Sequence, residues 1–444
     1  MGTLTTAISG WGRYPVQVCE LARPERYAAL LPDTASLIVR GQGRSYGDAS
    51  LNENGRVLLT ERVNRLLEFD TAQGILRAEA GVTLGEILAV IVPKGWFLPV
   101  TPGTKFVSLG GCVAADVHGK NHHHDGAFGD HVLSIELVLA DGSRMTCSAE
   151  QNAPLFWATV GGMGLTGIIA EVTIKLIAIK NSQMTVRHHA AANLEQLFAL
   201  MQAPAIDDRY TVAWIDSMAT GAQLGRGILM CGHHAEEATS VPQTGAQRRI
   251  PFDFPDWALN SISIGAFNAQ YFRRESGKPE AFASGWDAYF YPLDALENWN
   301  RMYGKRGFVQ YQCVIPDAAA YQGMQKLLQT VSASRRPSFL AVLKRFGAEG
   351  RGLLSFPMKG YTLALDLPIR DEGLFDLLNT LDEIVLQYGG RVYLAKDARL
   401  SAATFALMYP RYQEWLAVKN SVDPEQRFSS SLSRRLGITA HKEA

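Results

Sequence analysis

Hydrophobic positions in the first 180 residues of the chain recur in short runs, not at helical spacing. Ser36 to Arg40, Val57 to Leu59 and Ile75 to Ala80 are each a few residues long and are followed by glycine or polar residues, the length and punctuation of strands. Thr83-Leu-Gly-Glu86 has capping-box spacing and predicts a helix through Ile87, Leu88 and Ile91, stopped at Gly95. Trp96 to Val100 is a further apolar run, after which Ser108 is placed to cap a helix through Val113. Val132 to Ala140 and the stretch after Ser143 flank Asp141-Gly142, a hairpin signal. A helix through Phe156 and a strand over Ile168 to Leu176 complete this half, and the residues before Ser36 read as a short irregular arm.

From about Lys180 the pattern becomes helices alternating with isolated strands. His234 to Pro255 is polar, contains Pro242, Pro251 and Pro255, and reads as a long mobile loop able to lie over a substrate. Three later segments alternate with period two. Phe308 to Ile315 puts Phe308, Gln310, Gln312 and Val314 on one face, Ser338 to Phe346 puts Leu340, Val342, Lys344 and Phe346 together, and Tyr361 to Leu367 groups Thr362, Ala364 and Asp366. Amides and a lysine on such faces fit a sheet that meets a polar ligand; by pattern alone a solvated sheet face is the commoner explanation. Leu374 to Tyr388 is an amphipathic helix halted by Gly389-Gly390. Arg391 to Ala395 then reads as a strand delivering Lys396, and the aromatic tail through Trp415 and Phe428 should pack back on the first half.

At 444 residues, 47% hydrophobic and 19% charged, the chain predicts a globular protein of two or three domains. Forty-three basic residues balance 43 acidic ones, so no net field recruits nucleic acid. Cys19, Cys112, Cys147, Cys231 and Cys313 are widely spaced and form no C-x-x-C pair, which predicts reduced thiols. There is no secretory pattern at Met1 and no apolar run of the ~18 residues that a transmembrane helix needs, so the expected location is cytoplasmic.

The chemistry concentrates where glycines crowd polar side chains. Gly41, Gln42, Gly43, Arg44, Ser45, Tyr46 and Gly47 form one loop. A second runs from Pro102-Gly103 through Ser108, Leu109, Gly110 and Gly111 to His118, Gly119, Lys120 and Asn121. Such loops bring backbone N–H groups onto an anion, and the first turn of a helix capped by Ser108 would add its own amides, which predicts a bound dinucleotide with its pyrophosphate there. No amphipathic helix follows Gly41-x-Gly43, which argues against a nicotinamide fold, and a Walker loop is absent.

Together with Gly161-Gly-Met-Gly-Leu-Thr-Gly167, Leu343-Lys-Arg-Phe-Gly347 and Ala395-Lys-Asp397, these loops resemble the vanillyl-alcohol-oxidase type of FAD-binding oxidoreductase over nearly the whole chain. Within that superfamily they are most similar to the flavoenzymes that oxidise decaprenylphosphoryl ribose in bacterial cell-wall biosynthesis. The resemblance implies an α+β fold of two domains. Residues 1–179 and 391–444 would form a PCMH-type FAD-binding domain, and residues 180–390 a substrate domain whose antiparallel sheet covers the flavin. It also implies that Gly167, Ile168 and Tyr393 join the two loops in holding FAD, and that the cofactor is non-covalent, because Arg44 stands where covalent members carry a histidine.

His118, His122, His123, His124 and His131 raise the question of a metal, but no carboxylate or thiol completes an H-E-x-x-H arrangement, so no metal is expected. By resemblance His118 approaches flavin and substrate, Lys120 adds charge near them, and His122 to His124 lie at the surface or behind the site. Lys396 matches the family's active-site lysine, either as a base with a lowered pKa or as an orienting cation. Tyr46 matches a tyrosine lining the pocket, and Gln310, Gln312 and Lys344 match positions facing the sugar. Mycobacterial members carry a pocket cysteine where this chain has Ala364. The implied reaction is oxidation of a secondary sugar hydroxyl, the C2 hydroxyl of a polyprenyl-phosphoryl ribose, to a keto sugar, with a separate NAD(P)H-dependent reductase completing an epimerisation. The alternatives are an alditol or sugar-lactone oxidase using oxygen, and a non-catalytic flavin-fold binding subunit. A polyprenyl substrate also leaves peripheral membrane contact open.

Overall fold

The computed structural model describes residues 2–25, 34–237 and 248–440. The apolar runs of the first half become two sheets. One has the order Thr3–Ser9, Val16–Ala22, Arg56–Leu59, Leu37–Arg40, and its last two neighbour pairs are parallel. Leu37, Ile38, Val57 and Leu58 are fully buried there, as continuous apolar strands require. The other is antiparallel, in the order Leu66–Asp70, Ile75–Glu79, Ile168–Lys175, Val132–Val138, Arg144–Cys147. Over the described part of the expected irregular arm the chain is instead an antiparallel hairpin, Thr3–Ser9 with Val16–Ala22; residues 26–33 of that arm lie outside the described residues. The hairpin's hydroxyl-rich first strand lies at a sheet edge, largely exposed, and so has no hydrophobic alternation to display.

Both predicted caps form. Thr83 Oγ1 accepts from Glu86 N while Glu86 accepts from Thr83 N, opening the helix Leu84–Ile91. Ser108 Oγ accepts from Gly111 N at the start of the helix Leu109–Ala114.

The second half is built on one eight-stranded sheet in which every pairing is antiparallel. Its order is Phe282–Gly285, Gln183–Ala191, Gly227–His234, Tyr210–Ile215, Ala341–Phe346, Gly360–Pro368, Phe308–Pro316, Arg391–Val392. The isolated strands expected after Lys180 are therefore members of a single sheet. Leu194–Gln202, Ala320–Ala333 and Gly373–Gln387 pack on one face, burying Tyr311, Cys313, Ile315, Leu363 and Leu365 in a shared core. The alternate residues point the other way, and register brings Gln312 beside Ala364, Gln310 beside Asp366 and Lys344 beside Thr362. That face is not solvated: Gln310, Gln312, Thr362 and Asp366 are all buried.

Two further expectations change. The strand over Arg391 to Ala395 is only Arg391–Val392, because Lys396 N and Asp397 N both turn back onto Tyr393 O. The loop expected from His234 to Pro255 begins as strand through His234 and holds a two-residue strand, Arg248–Arg249, parallel to Leu296–Glu297; its residues 238–247 lie outside the described residues. The tail returns to the first half: Leu37 N donates to Arg427 O (2.8 Å), Ser429 N to Leu37 O (2.9 Å) and Trp415 Nε1 to Ala158 O (2.8 Å). All five cysteines are buried free thiols, and among the described residues no helix is long and apolar enough to cross a membrane.

Candidate active site

A cavity of about 310 Å³ lies between the two glycine loops and the polar face of the large sheet. The loops interlock tightly, and a Cβ on Gly41 would collide with the hydroxyl of Ser108. Gly41 to Tyr46 line one wall, with Trp11 N donating to Ser45 O (2.8 Å) and Tyr46 N to Ala395 O (3.0 Å). Among the described residues none accepts from the amides of Gln42, Gly43, Arg44 or Ser45. The helix Leu109–Ala114 differs from expectation, since its first-turn amides are already used. Leu109 N donates to Val82 O and Gly110 N to Ala80 O (both 2.8 Å), and Gly111 N to Ser108 Oγ (3.3 Å). Gly110 and Gly111 line the cavity as surfaces of close approach. The amides still available to an anion are those of the first loop.

The sheet-side wall carries the ionisable groups. His118 is buried in an aromatic box, its ring 4.7 Å from Phe346, 5.8 Å from Phe356 and 5.6 Å from Tyr393, whose hydroxyl donates to Ala115 O (2.8 Å). Its Nδ1 lies 3.1 Å from Lys344 Nζ and its Nε2 3.0 Å from the Gln312 amide, which also reaches Thr362 Oγ1 at 3.2 Å. Burial, then the charge of Lys344, pushes His118 well below the usual imidazole range, so it carries one proton. If Lys344 is an ammonium it donates to Nδ1 and Nε2–H faces the Gln312 carbonyl; if it is an amine the tautomer and the amide reverse. The charge of Lys344 and the orientation of Gln312 are thereby coupled through one ring.

Burial draws Lys344 down to about 7. Lys396 is also drawn to about 7, by burial first, with Asp366 opposing and Lys344 reinforcing. Its Nζ sits 3.8 Å from the centre of the Tyr46 ring, which is held edge-on to Phe308 at 5.5 Å. Asp366 accepts from Gln310 Nε2 (2.5 Å) and Tyr303 Oη (3.2 Å), and burial raises it to about 6. A buried carboxyl and two lysines that titrate near neutrality form a site suited to proton movement.

The sequence comparisons agree with this geometry. Residues 26–148 match the FAD binding domain family and residues 370–436 match D-arabinono-1,4-lactone oxidase. The decaprenylphosphoryl-β-D-ribose oxidase of Mycolicibacterium smegmatis is 35% identical across 98% of both chains. The chain belongs to the decaprenylphosphoryl-β-D-ribose oxidase family. It is accordingly an FAD-dependent oxidoreductase. An uncharacterised Streptomyces coelicolor protein is 33% identical over 80% of this chain and all of its own length. Two solved structures share the α+β fold. Physcomitrella patens BBE-like 1 has TM-score 0.71 and 14% identity, covering 99% of this chain and 98% of its own. A xylooligosaccharide oxidase from Myceliophthora thermophila has TM-score 0.66 and 15% identity, covering 93% and 91%.

FAD fits the residues present: unspent amides for a pyrophosphate, glycines that let backbone approach, and a wall with Lys396 and His118. Gly103, Gly167 and Tyr393 also line the cavity, whereas six expected residues do not. Gly47 packs on the backbone of Asp397, Leu109 and Ile168 are core, and Gly119 lies against Thr101. Asn121 binds Pro99 O (2.7 Å) and Asp125 (2.6 Å). Lys120, expected near flavin and substrate, instead donates to Tyr289 O, with its Nζ 4.5 Å from the centre of that ring. Sequence reasoning missed Trp11, Asp294 and Trp299, which line the cavity from distant segments. Only the Gly10-Trp-Gly12 spacing hinted at one, each glycine lying against backbone carbonyls where a Cβ would clash.

His118 and His122 do not share a helix: the first helix ends at Ala114, and His122–Asp125 is separate. Among the described residues no cluster of metal-binding side chains forms. His122, expected at the surface or behind the site, is buried, its Nδ1 accepting from Gly347 N (3.1 Å) and its ring 4.5 Å from Phe346. Burial, then Lys344, lowers its pKa from 6.5 to about 3. An unfolded chain therefore binds a proton that the fold refuses between those values, and stability falls as pH drops below about 6.5, by ~1.4 kcal/mol per pH unit for this residue. His122→Asn should flatten that slope in urea titrations run from pH 7 to 5; an unchanged slope would reject the assignment.

Proposed function

We propose that the enzyme oxidises the C2 hydroxyl of a polyprenyl-phosphoryl ribose to the keto sugar, the first half of an epimerisation completed by a separate NAD(P)H-dependent reductase. The observation that carries this reading is the set of buried His118, Gln310 and Gln312 with half-buried Lys344 and Lys396 on the sheet-side wall, across the cavity from the glycine loops. FAD, when bound, supplies the hydride acceptor. Gln310 and Gln312 are placed to orient sugar hydroxyls. Asp366 fixes the Gln310 amide, and His118 fixes that of Gln312. Lys396 Nζ, with its pKa near 7, takes up the hydroxyl proton, while the rings of Tyr46 and Tyr393 exclude water.

The relative's full-length similarity, and the name it bears, support this substrate. The D-arabinono-1,4-lactone oxidase match over residues 370–436 favours a second reading, an oxidase of soluble alditols or sugar lactones. Under anaerobic conditions a polyprenyl-phosphoryl ribose should bleach the flavin absorbance; bleaching by soluble alditols alone would select the second reading, and bleaching by neither would leave a binding subunit. Arg44, stacked 4.1 Å over Trp11, supports non-covalent FAD. Acid precipitation should release all flavin to the supernatant, and flavin retained in the pellet would refute that attachment.

A further inference from the structure

One surface of the molecule departs from the rest. Phe252, Trp257 and Ile262 are 62%, 75% and 83% exposed, and Phe267, further along the helix that Ile262 opens, is 40% exposed. Other large apolar side chains at the surface are aliphatic, apart from Tyr321, and are scattered along edges and helices, as is ordinary for soluble proteins. Here the exposed phenylalanine and tryptophan side chains of the described residues fall within sixteen consecutive positions.

The local fold explains why they stand out. Asn260 caps the helix Ser261–Ser276 by accepting from Ile262 N and Ser263 N, and Ile264, Asn268 and Glu275 form its buried side. Ile262 therefore projects from the first turn, and Trp257 from the loop that leads into it. The same segment continues inward through Phe254 and Leu259, which pack, as Trp11 and Tyr46 do, on a buried cluster that includes Trp299. Trp11, Tyr46 and Trp299 line the cavity. An apolar path thus runs from the cavity wall to the exposed rim.

The charge around the rim is one-sided. Its carboxylates are engaged: Asp253 by Arg13 at 2.6 Å, Glu275 by Arg274 and Lys278 at 2.7 Å, and Asp256 and Glu297 by Arg306 and Arg249 at 3.8 Å. Arg248, Arg273 and Lys305 are exposed and form no ion pair with any described residue. Aromatic and branched aliphatic side chains flanked by uncommitted cations are the composition of a surface that lies on anionic lipid. We propose that Phe252, Trp257 and Ile262 dock the enzyme on an anionic bilayer, with Arg248, Arg273 and Lys305 contacting headgroups. The proposal deepens the lipid-linked substrate reading, since an enzyme so docked can draw a polyprenyl-anchored sugar from the membrane without extracting its tail into water.

The test uses the FAD-loaded full chain and no substrate, so its failure is distinct from failure of the substrate assignment. Vesicles of phosphatidylcholine with phosphatidylglycerol should co-sediment the protein, and vesicles of phosphatidylcholine alone should do so far less. Added salt should weaken the binding, because exposed charges are screened. The triple variant F252S/W257S/I262S should lose at least about tenfold in partitioning while keeping its flavin spectrum, because each exposed side chain contributes on the order of its apolar burial. Arg248→Ser with Arg273→Ser should abolish the preference for anionic vesicles. The proposal is overturned if the wild type ignores both vesicles or the triple variant binds them as well as the wild type. It is equally overturned if the rim variants change only the elution volume in gel filtration, which would make the surface a contact between copies of the chain.

Discussion

Lys396→Ala is expected to slow reduction of the flavin by substrate ~10²–10⁴-fold, the range that a positioned proton-transfer group supplies, while leaving FAD bound. The cofactor should stay because the amides proposed to hold it lie on Gln42 to Ser45 and the proposed surfaces of close approach on Gly110 and Gly111, none of which depends on the lysine side chain. The direction of the pH dependence follows from the site. Burial brings Lys396 to about 7, so the amine predominates above that value and the ammonium below it. As a base it makes the wild-type rate rise with pH through about 7, and the variant should lack that rise. A rate that falls over the same interval would make Lys396 an orienting cation. Lys396→Arg should not restore the rate, since a guanidinium keeps its proton throughout this range and needs a wider slot over the Tyr46 ring. Stopped-flow reduction from pH 6 to 9, with each variant's FAD content measured in parallel, separates these outcomes.

The groups around Lys396 share its tendency to titrate near neutrality. Three lysines, Lys120, Lys344 and Lys396, are each drawn to about 7 by burial, and Lys344 adds to the effect on the other two. Only Asp366 opposes, and burial has brought it to about 6. Lys344, Lys396 and Asp366 therefore each sit close to their own midpoint near neutral pH, whereas Lys120, turned onto Tyr289 O, stands apart from them.

Much of this arrangement was legible in the sequence where a local rule governs a residue. Period-two alternation identified the faces carrying Gln310, Gln312, Lys344 and Asp366, and a cap three residues ahead of a partner amide identified the helices after Thr83 and Ser108. What alternation could not say is that this face is dry, because burial is decided by whatever packs opposite. The direction of Lys120 was equally out of reach: a loop side chain turns toward its strongest acceptor, here the Tyr289 carbonyl, 169 residues away. Trp11 and Trp299 reach the cavity only through the tertiary fold, and the strand Gln183–Ala191 was obscured by its polar run Arg187-His-His189.

Replacement of Arg435 by methionine is expected to cost ~3–5 kcal/mol of stability, the loss typical when one member of a buried charge cluster is removed. Arg435 forks onto Asp48, with Nε 2.9 Å from Oδ2 and Nη2 2.7 Å from Oδ1, and its Nη1 reaches Asp397 Oδ2 (2.9 Å) and Leu400 O (2.6 Å). Burial works against this guanidinium, but Asp397 and Asp48 more than offset it and hold the charge. Methionine would fill much of the space and leave two carboxylates buried with no counter-charge. The damage should spread to the site. Asp48 ends the first glycine loop, and Asp397, which follows Lys396, accepts from Arg399 N and Leu400 N at 2.9 and 2.8 Å. FAD affinity should therefore fall together with stability, read as earlier flavin release in a urea titration. Adding Asp48→Asn should recover part of the loss, because it removes one stranded charge, and the double variant should be less destabilised than the sum of the two single variants. A cost below about 1 kcal/mol for R435M, or strict additivity with Asp48→Asn, would mean that the tail is held by the packing of Phe428 and Trp415 and not by this ion cluster.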